Sequence, residues 1–198
     1  MVKIGVLVSG GGTNLQALID AEKNGIIQHG KIVTVVSSKP GVYALERAKN
    51  AGISSAVLCK KDYPDAASYD MALCQHMLDS GVELIVLAGF LTILGENILK
   101  TYKNKIINIH PSLIPSFCGD GFYGLRVHQA ALDYGVKVTG ATAHFVNEIT
   151  DGGKIILQKA VAIQPEDTAE TLQKRVMEEA EWKILPEAVE LFCAGKLS

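Results

Sequence analysis

The segment KIINIHPSLIPSF, residues 105–117, carries an apolar run that breaks at Asn108 and ends at His110. Alternate residues of a strand face the same side, so Asn108 and His110 project together while Ile107 and Ile109 face the other way. Pro111 disfavours the α region for His110 and keeps it extended, which preserves that geometry. An amide can donate and accept hydrogen bonds, and an imidazole changes charge near neutral pH. The carboxyl end of a parallel strand is where ligand crevices open in α/β sheets, so the pair is equipped to meet a polar ligand there. The competing reading is a strand terminus whose polar residues only mark solvent.

The second candidate is SGGGTNLQ, residues 9–16. It joins an apolar run to a helical pattern, so its backbone N–H groups can point at a phosphate or carboxylate held at the helix N-terminus. No Lys-Ser/Thr pair follows at Walker spacing. Gly10 and Gly12 supply G-x-G, but Leu15 stands where a dinucleotide fingerprint needs its third glycine. The second strand ends in Ser37 and Ser38 where that fingerprint needs an acid. A merely tight turn is the alternative.

Asp151, in EITDGGKI, lies in a turn signal, where Asp more often serves turn chemistry than catalysis. Its functional reading depends on the fold bringing it to His110. His144 sits in a β-rich run and reads as a satisfied sheet histidine. His128 lies on a helix, and His76 and His29 read as surface residues. No pair has metal-ligand spacing, so no metal is expected. Ser9, Ser112 and Ser116 lack a nucleophile-elbow context, which weakens a hydrolase reading. Glu178, Glu179 and Glu181 read most simply as a solvated helix face, with Glu181 singled out beside Trp182 and before Pro186.

The elements that must position these residues follow from periodicity. Strands are expected at 3–9, 31–38, 54–59, 83–89 and 105–110, alternating with helices at 13–25, 43–51 and about 65–80 and a short one before residue 105. Leu15, Leu18 and Ile19 share one face of the first helix, and Thr13 with Gln16 resembles a capping box. Strands apolar on both faces between helices indicate a mostly parallel, Rossmann-like α/β sheet with helices on both faces. After Pro111 the pattern changes: a Pro- and Gly-rich loop, a helix at 125–134, and two β-rich runs at 137–148 and 154–163 across the Asp-Gly-Gly turn. These predict an antiparallel C-terminal β extension, closed by a helix from Asp167, with Glu170 three residues on, to about Cys193.

The chain has 198 residues, 48% hydrophobic and 20% charged, a balance suited to one globular domain. It divides into a first half, 1–110, with the glycine loop, and a second, 111–198, with the long loop, β extension and last helix. A net charge of -2 gives no electrostatic case for nucleic acid or an acidic membrane. The apolar runs are too short for a signal peptide or a membrane span. Four scattered cysteines without a CxxC pair fit a reducing, cytoplasmic setting.

VLVSGGGTNLQAL, LAGFLTIL, NIHPSLIPSF with the Gly-rich loop, and TAHFVNEITDGGKII together resemble the folate-dependent formyltransferases. SGGGTN is similar to the substrate-phosphate loop of the phosphoribosylglycinamide branch. The resemblance runs in order over nearly the whole chain and implies the formyltransferase fold. It implies transfer of a formyl group from 10-formyltetrahydrofolate to the amine of 5'-phosphoribosylglycinamide, a step of purine (IMP) biosynthesis, without metal. It further implies roles: Asn108 as donor to the developing oxyanion, His110 as proton donor, and Asp151 as the carboxylate that raises the His110 pKa. Gly12, Thr13 and Asn14 would hold the phosphate, Glu181 the ribose, and Phe90, Leu91, Thr92, Ile93 and Leu94 would line the folate pocket together with Asn108. His144 matches a family histidine without an assigned step.

Ala66 and Ala67 stand where the family often carries Arg or Lys, and Thr92 where Arg is common, which bears on how the folate tail is met. Rival readings are a methionyl-tRNA formyltransferase, a formyltetrahydrofolate hydrolase and a non-catalytic nucleotide-binding module. The first two would need further domains, and the chain is expected to lack them. Either a monomer or a homodimer suits these expectations.

Overall fold

The strand β1 (Val2–Val8) is apolar on both faces, which only a sheet covered on both sides can bury. In the computed structural model, which describes residues 1–197, β1 is the third of seven strands in one sheet. The others are β2 (Gly30–Ser37), β3 (Ser54–Val57), β4 (Leu84–Leu87), β5 (Ile106–His110), β6 (Val138–Phe145) and β7 (Ile155–Ala162). Their order is β3-β2-β1-β4-β5-β6-β7. The first five are parallel; β6 runs antiparallel to β5, and β7 to β6. The expected parallel sheet with an antiparallel extension is therefore present. Among the described residues, no helix is long and apolar enough to cross a membrane.

Helices α1 (Thr13–Lys23), α2 (Tyr43–Asn50), α3 (Ala66–Asp79), α4 (Glu96–Thr101), α5 (Leu125–Tyr134), α6 (Ala169–Val176) and α7 (Trp182–Cys193) connect and cover the strands. The alternation of side chains splits the core in two. Ile4, Val6, Val8, Leu84, Val86, Ile107 and Ile109 pack with Leu15, Leu18, Leu172, Leu185 and Val189 on one face. Leu7, Ile85, Leu87 and Ile106 pack with Leu73, Met77 and Ile98 on the other. Asn108 and His110 lie on opposite pleats from Ile107 and Ile109, as the period of two requires.

Two helix starts differ from the sequence expectation. Thr13 and Gln16 do not form a capping box: the N-cap is Gly12, at φ 72, with no side-chain cap. A Cβ at Gly12 would lie 2.7 Å from the Ala44 Cβ, so the left-handed turn and the close approach of α2 both demand glycine. That turn leaves no extended residue in front of α1 to act as a side-chain cap. Gln16 instead bonds Asp20 and Arg47.

The last helical run reaches Cys193 as expected, but it starts at Ala169 rather than Asp167 and is not α-helical throughout. Thr168 caps α6, and Thr168 and Thr171 form the reciprocal box in place of Asp167 and Glu170. Asp167 is diverted to the Gln164 N–H and to Arg175. Between α6 and α7 the chain widens into a π-helical turn, Met177–Glu181. Such turns insert extra backbone and re-aim a side chain, often at functional sites.

Candidate active site

The carboxyl ends of β1, β4 and β5 open into a cleft of about 820 Å3. It collects Asn108, His110, Asp151, Asn14 and Glu181 with Phe90, Leu91, Thr92, Ile93 and Leu94. Residues far apart in sequence meet there because β5 sits between the parallel half and the β6–β7 hairpin. In that register Asn108 faces His144, and His110 faces Thr142.

His110 is 4% exposed. Its Nε2 lies 2.9 Å from the Phe117 carbonyl, an acceptor, so Nε2 carries the hydrogen. Its Nδ1 faces the Asp151 Oδ2 at 3.4 Å. Burial pushes the His110 pKa down, the Asp151 charge and the Phe117 carbonyl push it up, and burial wins. The net direction is thus opposite to the sequence expectation, although the Asp151 contribution has the expected sign.

Asp151 lies in the β6–β7 turn with φ 55. In this Asp-Gly-Gly turn the left-handed residue is the aspartate, which tolerates that region better than most side chains. Gly153 serves close approach instead: a Cβ there would collide with the Phe145 carbonyl. Burial raises the Asp151 carboxyl; the neighbouring His144 ring, 3.7 Å from Oδ1, the hydrogen bond from the Gly119 N–H and the nearby His110 charge outweigh it and hold it below the ordinary value. The Gly119 N–H donates to Oδ2 at 2.9 Å, which ties the long loop to the hairpin.

His144 explains the orientation of Asn108. The Phe145 carbonyl lies 2.8 Å from His144 Nδ1, so that nitrogen donates and leaves Nε2 as the acceptor of the neutral ring. The Asn108 Nδ2 stands 3.1 Å away and donates to it. One amide hydrogen is thereby used and the other is left for the cleft. His144 reads from sequence only as a sheet histidine, because the cross-strand pairing that gives it this task is not visible in one strand.

On the opposite wall, Asn14 Nδ2 donates to Glu181 Oε2 at 2.7 Å, and both side chains are buried. Glu181 is therefore no member of a solvated face; the π turn directs it inward. Of the glycine loop, Ser9, Gly10 and Asn14 line the cleft, whereas Thr13 borders a separate groove between α1 and α7. Thr92 lines the cleft with its neighbours, while Ala66 and Ala67 begin α3 on the exposed surface. Lys39, which has no role in the sequence reading, also lines the cleft, and the Ser9 Oγ accepts from the Leu91 N–H at 2.9 Å. His29 is exposed and paired with Glu190, but His76 is half-buried against Thr34, and His128 is fully buried.

Burial pushes the Glu181 carboxyl from 4.5 up to about 7, against the Asn14 hydrogen bond. A folded pKa above the unfolded one means that this group's stability contribution is complete below the unfolded value and lost as pH rises through about 7. Glu181→Gln keeps a partner for Asn14 and removes the charge. The expected result is a flatter Tm profile between about pH 5 and 8 than in the wild type; an unaltered slope would contradict the buried-carboxyl assignment.

A mostly parallel sheet turning antiparallel beyond β5, with an Asn-His-Asp cluster at the junction, is the arrangement of a formyl transferase. Residues 2–189 match the Formyl transferase family model, and the chain belongs to that family. It is 43% identical over 197 residues to the phosphoribosylglycinamide formyltransferase of Haemophilus influenzae, covering 100% of this chain and 90% of that one. The glycinamide ribonucleotide transformylase 1 structure from Symbiobacterium toebii superposes with a TM-score of 0.94 at 42% identity, over 100% of this chain and 90% of that chain. A trifunctional purine biosynthetic protein adenosine-3 from Gallus gallus is 45% identical over 194 residues, which are 98% of this chain and 19% of that protein. The chain thus spans less than a fifth of the trifunctional relatives it matches.

Proposed function

We propose that the chain transfers the formyl group of 10-formyltetrahydrofolate to the amine of 5'-phosphoribosylglycinamide, giving formylglycinamide ribonucleotide and tetrahydrofolate in purine biosynthesis. The convergence of Asn108, His110 and Asp151 on one cleft that also holds Asn14 and Glu181 carries this reading. The ribonucleotide occupies the Asn14–Glu181 wall, with Glu181 meeting the ribose and the phosphate meeting the backbone N–H groups of the loop Gly12, Thr13 and Asn14, although the Thr13 side chain borders the other groove. The pteridine lies along Phe90–Leu94.

The amine attacks the formyl carbon, forming a C–N bond and pushing charge onto the formyl oxygen. The free amide hydrogen of Asn108 receives that charge, and preorganised donors of this kind cost little reorganisation at the moment of reaction. The C–N10 bond then breaks. N10 gains a proton, and the amine nitrogen loses one, so the sum is neutral. His110 carries the transfer, and the ionised Asp151 stabilises its charged form. The substrates are small molecules, and the enzyme acts in the cytoplasm as a single formyltransferase domain without metal.

The direct test is a spectrophotometric assay with 10-formyl-5,8-dideazafolate as donor and glycinamide ribonucleotide as acceptor, in chelator. Turnover that requires both partners is expected. A folded protein that binds the ribonucleotide and turns nothing over would support a nucleotide sensor instead. In the same assay Asp151→Asn removes the influence that raises the His110 pKa. The His110 limb of the kcat–pH profile is expected to move to lower pH; a stationary limb would sink the pairing.

A further inference from the structure

His128 is 0% exposed, and among the described residues neither of its ring nitrogens has a hydrogen-bond partner. Buried polar atoms are almost always paired, and each unpaired one costs stability, so an exception calls for an explanation. The ring lines the catalytic cleft, on α5, with Gln173, Met177 and Glu181. Helix α5 packs against α6, the element that leads into the π turn and Glu181. The ring is also within electrostatic range of His110, whose charge opposes that of His128. His128 therefore lines the same cleft as Glu181, assigned to the ribose, and His110, assigned to the proton transfer. The part of the acceptor between ribose and reacting amine is the glycinamide, a carboxamide with one acceptor oxygen and one N–H ahead of that amine.

We propose that His128 is a substrate-contacting residue whose imidazole hydrogen-bonds the glycinamide amide of the acceptor ribonucleotide and holds its amine toward His110. This rests on the function proposed above. The chemistry matches atom for atom: an uncharged imidazole offers one N–H and one bare nitrogen, and an amide needs one of each. Burial holds the ring uncharged, down at about 4. A charged ring there would repel both His110 in its acid form and the ammonium form of the substrate. The sequence gives no hint of this, since one histidine on an amphipathic helix reads as a surface or packing residue.

Two measurements decide it. In the wild-type protein with 15N-labelled histidine, the His128 ring resonances are expected to shift on adding glycinamide ribonucleotide alone and to stay put with 10-formyl-5,8-dideazafolate alone. His128→Leu is expected to raise the KM for the ribonucleotide ~10-fold, the loss of one or two neutral hydrogen bonds. The KM for the donor should not change, and Tm should hold or rise because an unpaired buried imidazole has been removed. His128→Asn, which keeps a donor and an acceptor, should recover part of the loss. Unmoved His128 resonances in a protein that turns over the ribonucleotide overturn the inference and leave the function standing. So does a His128→Leu enzyme whose Tm drops and whose two KM values rise together. A wild type inactive on the ribonucleotide removes the function and the inference together.

Discussion

His110→Ala is expected to lower kcat by ~100- to 10,000-fold, the usual contribution of a positioned general acid–base group. The dissociation constant of the ribonucleotide should stay within about twofold, because the imidazole acts on the transition state rather than on ground-state binding. The geometry supports a large effect. The ring is held by the Phe117 carbonyl at 2.9 Å and the Asp151 carboxylate at 3.4 Å and is itself only 4% exposed. Titration calorimetry with the ribonucleotide, beside single-turnover kinetics, separates the two quantities. If affinity and rate fell by the same factor, His110 would be a binding residue.

Asn108→Ala comes next, with an expected loss of ~100- to 1,000-fold in kcat, as for removal of one oxyanion donor elsewhere. The His144 ring fixes which way the amide points, so the donated hydrogen is aimed before substrate arrives. Asn108→Asp, nearly the same in shape, replaces that donor with a charge that repels the oxyanion, and should be no better than alanine. KM values near those of the wild type in both variants are the expected companion result. A variant that kept kcat and lost affinity for both substrates would assign Asn108 to positioning alone.

Much of this site is legible in the chain because local rules fix it. The period of two puts Asn108 and His110 on one side of β5, and Pro111 keeps the strand end extended. Glycine spacing marks the loop before α1. What the sequence does not expose is pairing between distant strands: the Asn108–His144 and His110–Asp151 contacts depend on β6 reversing direction beside β5. Turn chemistry hides Asp151 for the same reason.

The π turn has a trace that was open to reading. Leu172, Val176, Ala180, Ile184 and Ala188 are buried and recur every fourth residue without a break. In a regular α-helix each such step drifts by about 40°, and the apolar stripe would wind away from the core. Periodicity reads the run as one helix, while the unbroken spacing of four belongs to a helix widened in the middle.

The catalytic seam also ties activity to an edge of the sheet. Strand β7 is the last in order and mostly exposed, and the hairpin it forms with β6 carries His144 and Asp151. Edge hairpins open at lower free energy than central strands. Fraying there would disarm His110 and Asn108 while β1, β2 and β4 stayed folded. In a denaturant titration, inactivation is therefore expected at a lower concentration than the loss of far-UV circular dichroism. Superimposable curves would place the hairpin in one cooperative unit with the parallel part of the sheet. On this view the enzyme has two stabilities, one for its fold and a smaller one for its chemistry.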